Sequence, residues 1–274
     1  MPTVDTRAGD LVYDELGTGN PLLLLHNAGH SRRDWDAVRP ALAEHYRTIA
    51  VDLPAHGDSP APVPGWRPSA ATVADLLEDV VDGLELGPAT FIGSSLGGFS
   101  AARLAIRRPA AVRALVLVDN GGFGSYHLGA RLFCRVMGTP ALLRLLYAGF
   151  ARFYMRARTD YDRQVLQRAQ RLARHPELTR VIAGIWRSFP SPEHNLEPLA
   201  GAITAPTLVV WGSRDRVIPP SAGRRAAELI PGAQYVELDA AHLPFVNDPV
   251  SFLASVLPFL HTAAATSPGQ AEHA

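Results

Sequence analysis

A serine hydroxyl becomes a nucleophile at neutral pH only when a base takes its proton and a third group orients that base. The segment Gly93-Ser94-Ser95-Leu96-Gly97 sets Ser95 midway between two glycines. An apolar run over 90–92 precedes it and a helical pattern follows, so the chain must reverse sharply there. Positions flanking such a turn press against neighbouring backbone, which glycine tolerates, and the strain holds Ser95 Oγ outward. The helix opening at Leu96 aims its first amides at the place where an oxyanion would form. Ser94 is the neighbouring competitor, without the symmetric glycine spacing.

Two loops offer the partners. Gly212-Ser213-Arg214-Asp215-Arg216-Val217-Ile218-Pro219 follows an apolar run over 207–211, and Ala240-Ala241-His242-Leu243-Pro244 follows a run over 234–238. Both lie at carboxyl ends of expected strands, where α/β folds gather site residues. Asp215 is the expected orienting acid and His242 the expected base. Taken singly, an aspartate in a polar loop is a turn or cap residue and a histidine is a structural group; Arg214 and Arg216 could be ion-pair partners of Asp215. The order Ser, Asp, His, each after its own strand, favours the catalytic reading. Asp119 also follows a strand and is the rival acid. Asp239 lies too close to His242 along the chain to orient it.

These residues need a scaffold. Short apolar runs at 11–16, 22–25, 48–51, 90–92, 114–118, 207–211 and 234–238 alternate with helical patterns at 70–86, 97–107, 222–229 and 249–260. Such alternation belongs to a mostly parallel sheet flanked by helices. From 121 to about 203 it stops, and the pattern is helical without a convincing strand. Val165, Leu166, Ala169, Leu172 and Ala173 share one helix face, and arginines hold the other. The organisation expected is an α/β core of residues 1–121 and 203–260, a helical insert over 122–202, and a small polar tail over 261–274 that stays disordered.

Composition excludes several classes. Twenty-six basic residues balance 26 acidic ones, so the footprint of a non-specific nucleic-acid binder is absent. The single cysteine, Cys134, supports neither a disulfide framework nor a cysteine-based zinc site. His26 and His30 are four apart but sit in a loop without supporting carboxylates, so no metal is expected; with no G-x-G-x-x-G or P-loop, no cofactor is expected either. The N-terminal stretch lacks the charged start and apolar core of a signal peptide, and no run is long enough for a membrane span, so a soluble cytoplasmic protein is expected. The neutral total conceals an asymmetry. All 26 basic residues are arginine, and residues 122–200 hold 12 of them against 5 acidic residues, which leaves +7 there and −7 elsewhere.

The motifs together resemble the α/β-hydrolases that carry a helical cap. His26-Asn27-Ala28-Gly29 is similar to the family's oxyanion loop, and Asp52-Leu53-Pro54-Ala55-His56-Gly57-Asp58-Ser59 to its D-x-x-G-x-G-x-S turn, with Ala55 at the first glycine position. The resemblance implies an eight-stranded, mostly parallel sheet and an oxyanion hole made by the backbone N–H groups of Ala28 and Leu96. His26 and His56 read as structural members of their loops. Asn27 departs from the usual glycine, and its amide could face substrate. Related dehalogenases and epoxide hydrolases place aspartate at the nucleophile position, which Ser95 argues against.

The insert holds 10 of the 21 aromatic residues. Some serve its own core and some line a small-molecule pocket, with Phe123, Trp186 and Phe189, near its junctions, the expected liners. Arg163, Arg168, Arg171 and Arg174 read as a solvated face, and Arg187 as a candidate partner for an acidic substrate group. The function expected is hydrolysis of a small, largely apolar ester or lactone through an acyl-enzyme. The alternatives are C–C bond cleavage in a vinylogous diketone, cofactor-free lyase or perhydrolase chemistry, and a receptor that keeps the triad but binds a signal.

Overall fold

The computed structural model describes residues 1–265 other than Ser125 and Ala173. Its strands are β1 (Thr3–Val4), β2 (Leu11–Leu16), β3 (Pro21–Leu25), β4 (Arg47–Val51), β5 (Ala89–Ser94), β6 (Val112–Val118), β7 (Thr207–Gly212) and β8 (Gln234–Leu238). They form one sheet in the order β1-β2-β4-β3-β5-β6-β7-β8. β2 runs antiparallel to β1 and β4, and β4 through β8 are parallel neighbours. Seven strands coincide with the apolar runs; β1, two residues long, is too short to leave a pattern.

The continuous apolar runs are explained by burial on both faces. Leu23, Leu25, Phe91, Leu115, Leu117, Val209 and Trp211 enter one core. Leu22, Leu24, Ile92, Val116, Val118, Leu208 and Val210, one residue out of phase, enter the other. In the second core the Trp35 ring stacks on Phe245 with centroids 3.8 Å apart.

Helices α1 (Arg39–Ala43), α2 (Ala70–Gly83) and α3 (Leu96–Arg107) accompany the first strands. Between β6 and β7 come α4 (Leu128–Met137), α5 (Pro140–Met155), α6 (Asp160–Leu172) and α7 (Pro176–Ser188), with no strand among the described residues of this stretch. Ser69 caps α2 by accepting from the Thr72 amide at 3.0 Å, and prolines open α5 and α7 at the first turn. The two ends of the insert are clasped where the Leu196 amide donates to Gly122 O at 2.8 Å. After β7 follow α8 (Pro220–Leu229), α9 (Pro244–Asn247) and α10 (Pro249–Ala265). The last helix runs five residues past the end expected from the sequence, with Ala263 buried, so the tail begins later than residue 261. Residues 266–274 and Ala173 lie outside the described residues. No described helix is long and apolar enough to cross a membrane.

Val165 and Ala169 are buried, as the α6 spacing requires. The opposite face is not uniformly solvated. Arg168 donates to Arg33 O at 3.1 Å and to Asp34 Oδ1 at 3.2 Å. Asp34 also binds His30 Nδ1, whose Nε2 meets Tyr154 Oη at 2.5 Å, and Tyr161 donates to Asp34 O at 3.2 Å. Buried Asp34 therefore ties α5 and α6 to the loop after β3, a contact that sequence spacing could not reveal.

Candidate active site

Ser95 lies between β5 and α3 with φ 52° and ψ −110°, a strained conformation for a non-glycine residue. Backbone contacts fix it: its amide donates to Val118 O at 2.9 Å, and its carbonyl accepts from Phe99 and Gly121. A Cβ on Gly93 would sit 2.4 Å from Gly97 O, and one on Gly97 would sit 2.4 Å from Leu25 O. The glycine spacing is thus a requirement of close backbone approach. Ser94, fully buried in β5, cannot compete as nucleophile.

Asp215 and His242 meet, though 27 residues separate them. His242 Nδ1 bonds Asp215 Oδ2 at 2.7 Å, while Asp215 Oδ1 accepts the Val217 and Ile218 amides at 2.7 and 3.1 Å. This fixes the carboxylate and leaves Nε2 as the basic nitrogen of the ring. A Cβ on Gly212 would sit 2.1 Å from Ala241 O, so a glycine at the end of β7 lets the histidine loop pack against the acid loop. Ser95 and His242 line one cavity of about 550 Å³. Among the described contacts they are not hydrogen-bonded; such contacts often tighten only in the substrate complex.

The rival acid has a different part. Asp119, fully buried with φ 43°, accepts the Gly212 amide through Oδ1 at 2.9 Å. Burial and then the charge of Asp215 push its carboxyl well above the usual range. As a carboxylate, its Oδ2 would be buried without a partner. As an acid, it donates to Asp215. One ligand-type atom each of Asp119, Asp215 and His242 lies within 4.8 Å of the others, but the His242–Asp215 and Asp119–Gly212 hydrogen bonds already engage this cluster.

Two histidines hold the loop that follows β3. His26 Nε2 accepts the Leu53 amide at 3.0 Å, and its Nδ1 donates to Asn27 O at 2.7 Å. His56 Nε2 accepts the Gly29 amide at 2.8 Å, and its Nδ1 donates to Pro54 O at 2.9 Å. These are structural roles for neutral rings. Ala55 takes φ 63° where the resembled motif has glycine. Ala28 and Leu96 line the cavity, and the Leu96 amide, at the first position of α3, has no acceptor within the helix. Asn27 is buried against the same cavity with both amide atoms unpartnered.

Trp186 and Phe189 line the cavity as expected. Phe123 does not: the chain turns at Gly122 (φ 98°), and Phe123 is buried in the core cluster that contains Phe99 and Leu196. Eight of the ten insert rings face the cavity; Phe123 and Tyr161 are the exceptions. Cys134, which sequence position set apart from the motifs, also lines it, with its thiol pushed up to about 11 by burial and so held protonated. Arg187 is turned away, donating to Gly138 O, and Arg216 lines the cavity instead.

His194 carried no signal in the sequence. It lines the cavity, stacks on Phe99 at 4.4 Å, meets Tyr126 Oη through Nδ1 at 3.3 Å, and is pushed down to about 3 by burial. Burial also lowers His26 and, further, His56. All three stay neutral when folded and take up protons on unfolding below about pH 6.5, while Asp119 works in the opposite sense. Because an unfolded histidine is only half protonated at pH 6.5, the net uptake approaches two protons, and the fall in stability about 2.7 kcal/mol per pH unit, only near pH 5.5 and below. Urea unfolding at pH 6.5, 5.5 and 5.0 measures this, and a flat profile across that range would contradict neutral buried rings.

Residues 20–249 match the family model described as the alpha/beta hydrolase fold. The chain belongs to the α/β-hydrolase fold family. The pimeloyl-[acyl-carrier protein] methyl ester esterase of Neisseria meningitidis serogroup B is 30% identical, over 84% of this chain and 89% of its own. The 2-hydroxy-6-oxo-6-phenylhexa-2,4-dienoate hydrolase of Comamonas testosteroni is 26% identical, over 76% of this chain and 75% of its own. Among solved structures, the enol-lactonase of Burkholderia xenovorans LB400 superposes with a TM-score of 0.79 at 26% identity, covering 95% of this chain and all of the other. This α/β-hydrolase thus has relatives named for ester, lactone and dienoate hydrolysis.

Proposed function

We propose that this α/β-hydrolase is a serine hydrolase that cleaves a small, largely apolar ester or lactone through an acyl-enzyme. The observation that carries the reading is the strained Ser95 turn facing the same cavity as His242, whose Nδ1 is held by Asp215 at 2.7 Å. His242 Nε2 takes the Ser95 proton as Oγ attacks the carbonyl carbon. The N–H groups of Ala28 and Leu96 hold the oxyanion of the tetrahedral intermediate. His242 then protonates the leaving oxygen, and a water activated by the same nitrogen releases the acid. Asp215 fixes the tautomer and stabilises the imidazolium. Trp186 and Phe189 enclose the apolar part of the substrate, and Asn27 presents its unpartnered amide to the polar part, since buried amides are rarely left without partners.

The test is a panel of 4-nitrophenyl esters from acetate to octanoate, run beside a ring-fission diketone on wild type and Asn27→Gly. We expect kcat/KM to rise with acyl length, since each buried methylene contributes up to about 0.8 kcal/mol, the diketone to be the poorer substrate, and Asn27→Gly to alter the order of preference. Faster cleavage of the diketone would overturn the ester reading, and an unchanged order would remove Asn27 from recognition.

A further inference from the structure

The acid loop delivers a guanidinium to the cavity beside the candidate triad. Arg216 follows Asp215 directly, is exposed, and lies over the Phe153 ring at 4.9 Å, both side chains lining the cavity. Among the described residues it has no carboxylate within ion-pair reach. Arg214 is engaged by Asp239 at 2.5 Å, and Asp215 is taken by His242. Arg216 is therefore an unneutralised cation at the wall of a pocket rich in aromatic rings.

Its neighbours reinforce the charge. A small groove beside the acid and histidine loops is lined by Arg156, Arg158 and Arg214, with Asp239 its one acid. Arg156 ends α5 in the left-handed conformation, φ 48° and ψ 46°, where glycine or asparagine costs less. Desolvation and then the charges of Arg216, Arg214 and Arg158 hold its guanidinium below the usual range. Three guanidiniums thus share one groove with a single carboxylate, and Arg216 lies close enough to Arg156 to bear on its charge. Like charges brought together raise the free energy of the unliganded protein, and a bound anion relieves it.

We propose that Arg216, with Arg156 behind it, forms an anion subsite at the cavity mouth that binds a carboxylate carried by the substrate at the end remote from the scissile ester. The substrate class is then a monoester of a dicarboxylic acid, or a lactone bearing a carboxylate, with an apolar stretch crossing the aromatic cavity. The subsite rests on the ester-hydrolase reading and adds to it a requirement for charge. Guanidinium suits this role because its planar donors match a carboxylate while its face rests on an aromatic ring.

The experiment compares mono-4-nitrophenyl succinate, adipate and suberate with 4-nitrophenyl butyrate, hexanoate and octanoate. The ratio of kcat/KM within each matched pair is the readout. At one chain length we expect wild type to favour the carboxylate ester about fivefold in low salt through KM, with the preference shrinking at 0.5 M salt. Arg216→Gln abolishes the preference, Arg156→Gln reduces it, and Arg113→Gln, which removes the same charge from a half-buried site on β6 outside the cavity lining, leaves it. Ratios at or below one at every length, or ratios indifferent to Arg216→Gln, overturn the subsite while plain esters still turn over. Failure of wild type on every ester would strike the ester reading itself, and the subsite with it.

Discussion

Ser95→Ala lowers kcat for the preferred ester by about 10⁴ to 10⁶-fold, the scale on which loss of a serine nucleophile is felt, while the protein remains folded. The fold survives because no contact among the described residues leans on the hydroxyl. The turn is held by main-chain bonds from Ser95 N to Val118 O and from the Phe99 and Gly121 amides to Ser95 O, all of which alanine retains. Alanine also bears the same left-handed strain, so stability should change by less than about 1 kcal/mol. Initial rates on rigorously purified variant, with melting curves beside wild type, check both halves. Retained turnover would remove Ser95 from the mechanism, and collapse of the melting transition would show that the hydroxyl has a structural role.

Asp215→Asn is expected to cost about 10³ to 10⁴-fold in kcat, and the direction follows from its hydrogen bonds. Oδ1 accepts two backbone amides, from Val217 and Ile218. In asparagine that position must remain the carbonyl oxygen, so the NH₂ group takes the place of Oδ2 and faces His242 Nδ1. Nδ1 then becomes an acceptor, the ring proton moves to Nε2, and the nitrogen that should deprotonate Ser95 is occupied. Asp119→Asn provides the contrast. Burial and the charge of Asp215 favour the protonated form of Asp119, and asparagine is the isostere of that form: the carbonyl still accepts from Gly212, and the NH₂ replaces the acid proton towards Asp215. Its kcat should stay within about tenfold of wild type, since a neutral hydrogen bond replaces another. A loss for Asp119→Asn as large as that for Asp215→Asn would make Asp119 the functional acid.

The two substitutions also mark where sequence reading stops. Ser95, Asp215 and His242 could be read because each sits in a short local pattern, a strand end followed by a turn, and because their order along the chain carries information of its own. The sheet was legible for a similar reason, since strands buried on both faces leave unbroken apolar runs. The pairing of Asp119 with Asp215 was not, because β6 and β7 are separated in sequence by the whole insert and only strand pairing brings their ends together. Phe123 shows the same limit: nearness to a junction suggested the cavity, but the backbone at Gly122 sends the ring into the core. His194 reaches the cavity through the clasp between Gly122 and Leu196, which has no signature in Pro192-Glu193-His194. Cys134, Arg168, Arg187 and Arg216 all required side-chain direction, which periodicity does not supply.

The insert's charge acquires a more local meaning in the folded chain. Arg168 is spent on Asp34, Arg163 on Asp160 and Arg180 on Glu177. What remains beside the cavity is the group around Arg216, half contributed by the acid loop. On the proposed reading, substrate choice would be divided between rings from the insert and a cation from the α/β core.

The most direct test of the central claim is rapid-quench mass spectrometry during turnover of 4-nitrophenyl hexanoate. The predicted result is a single hexanoyl group on the peptide containing Ser95, formed within the first turnover and absent from Ser95→Ala. Turnover without any acyl adduct, or an adduct mapped to Cys134 in the same cavity, would contradict it.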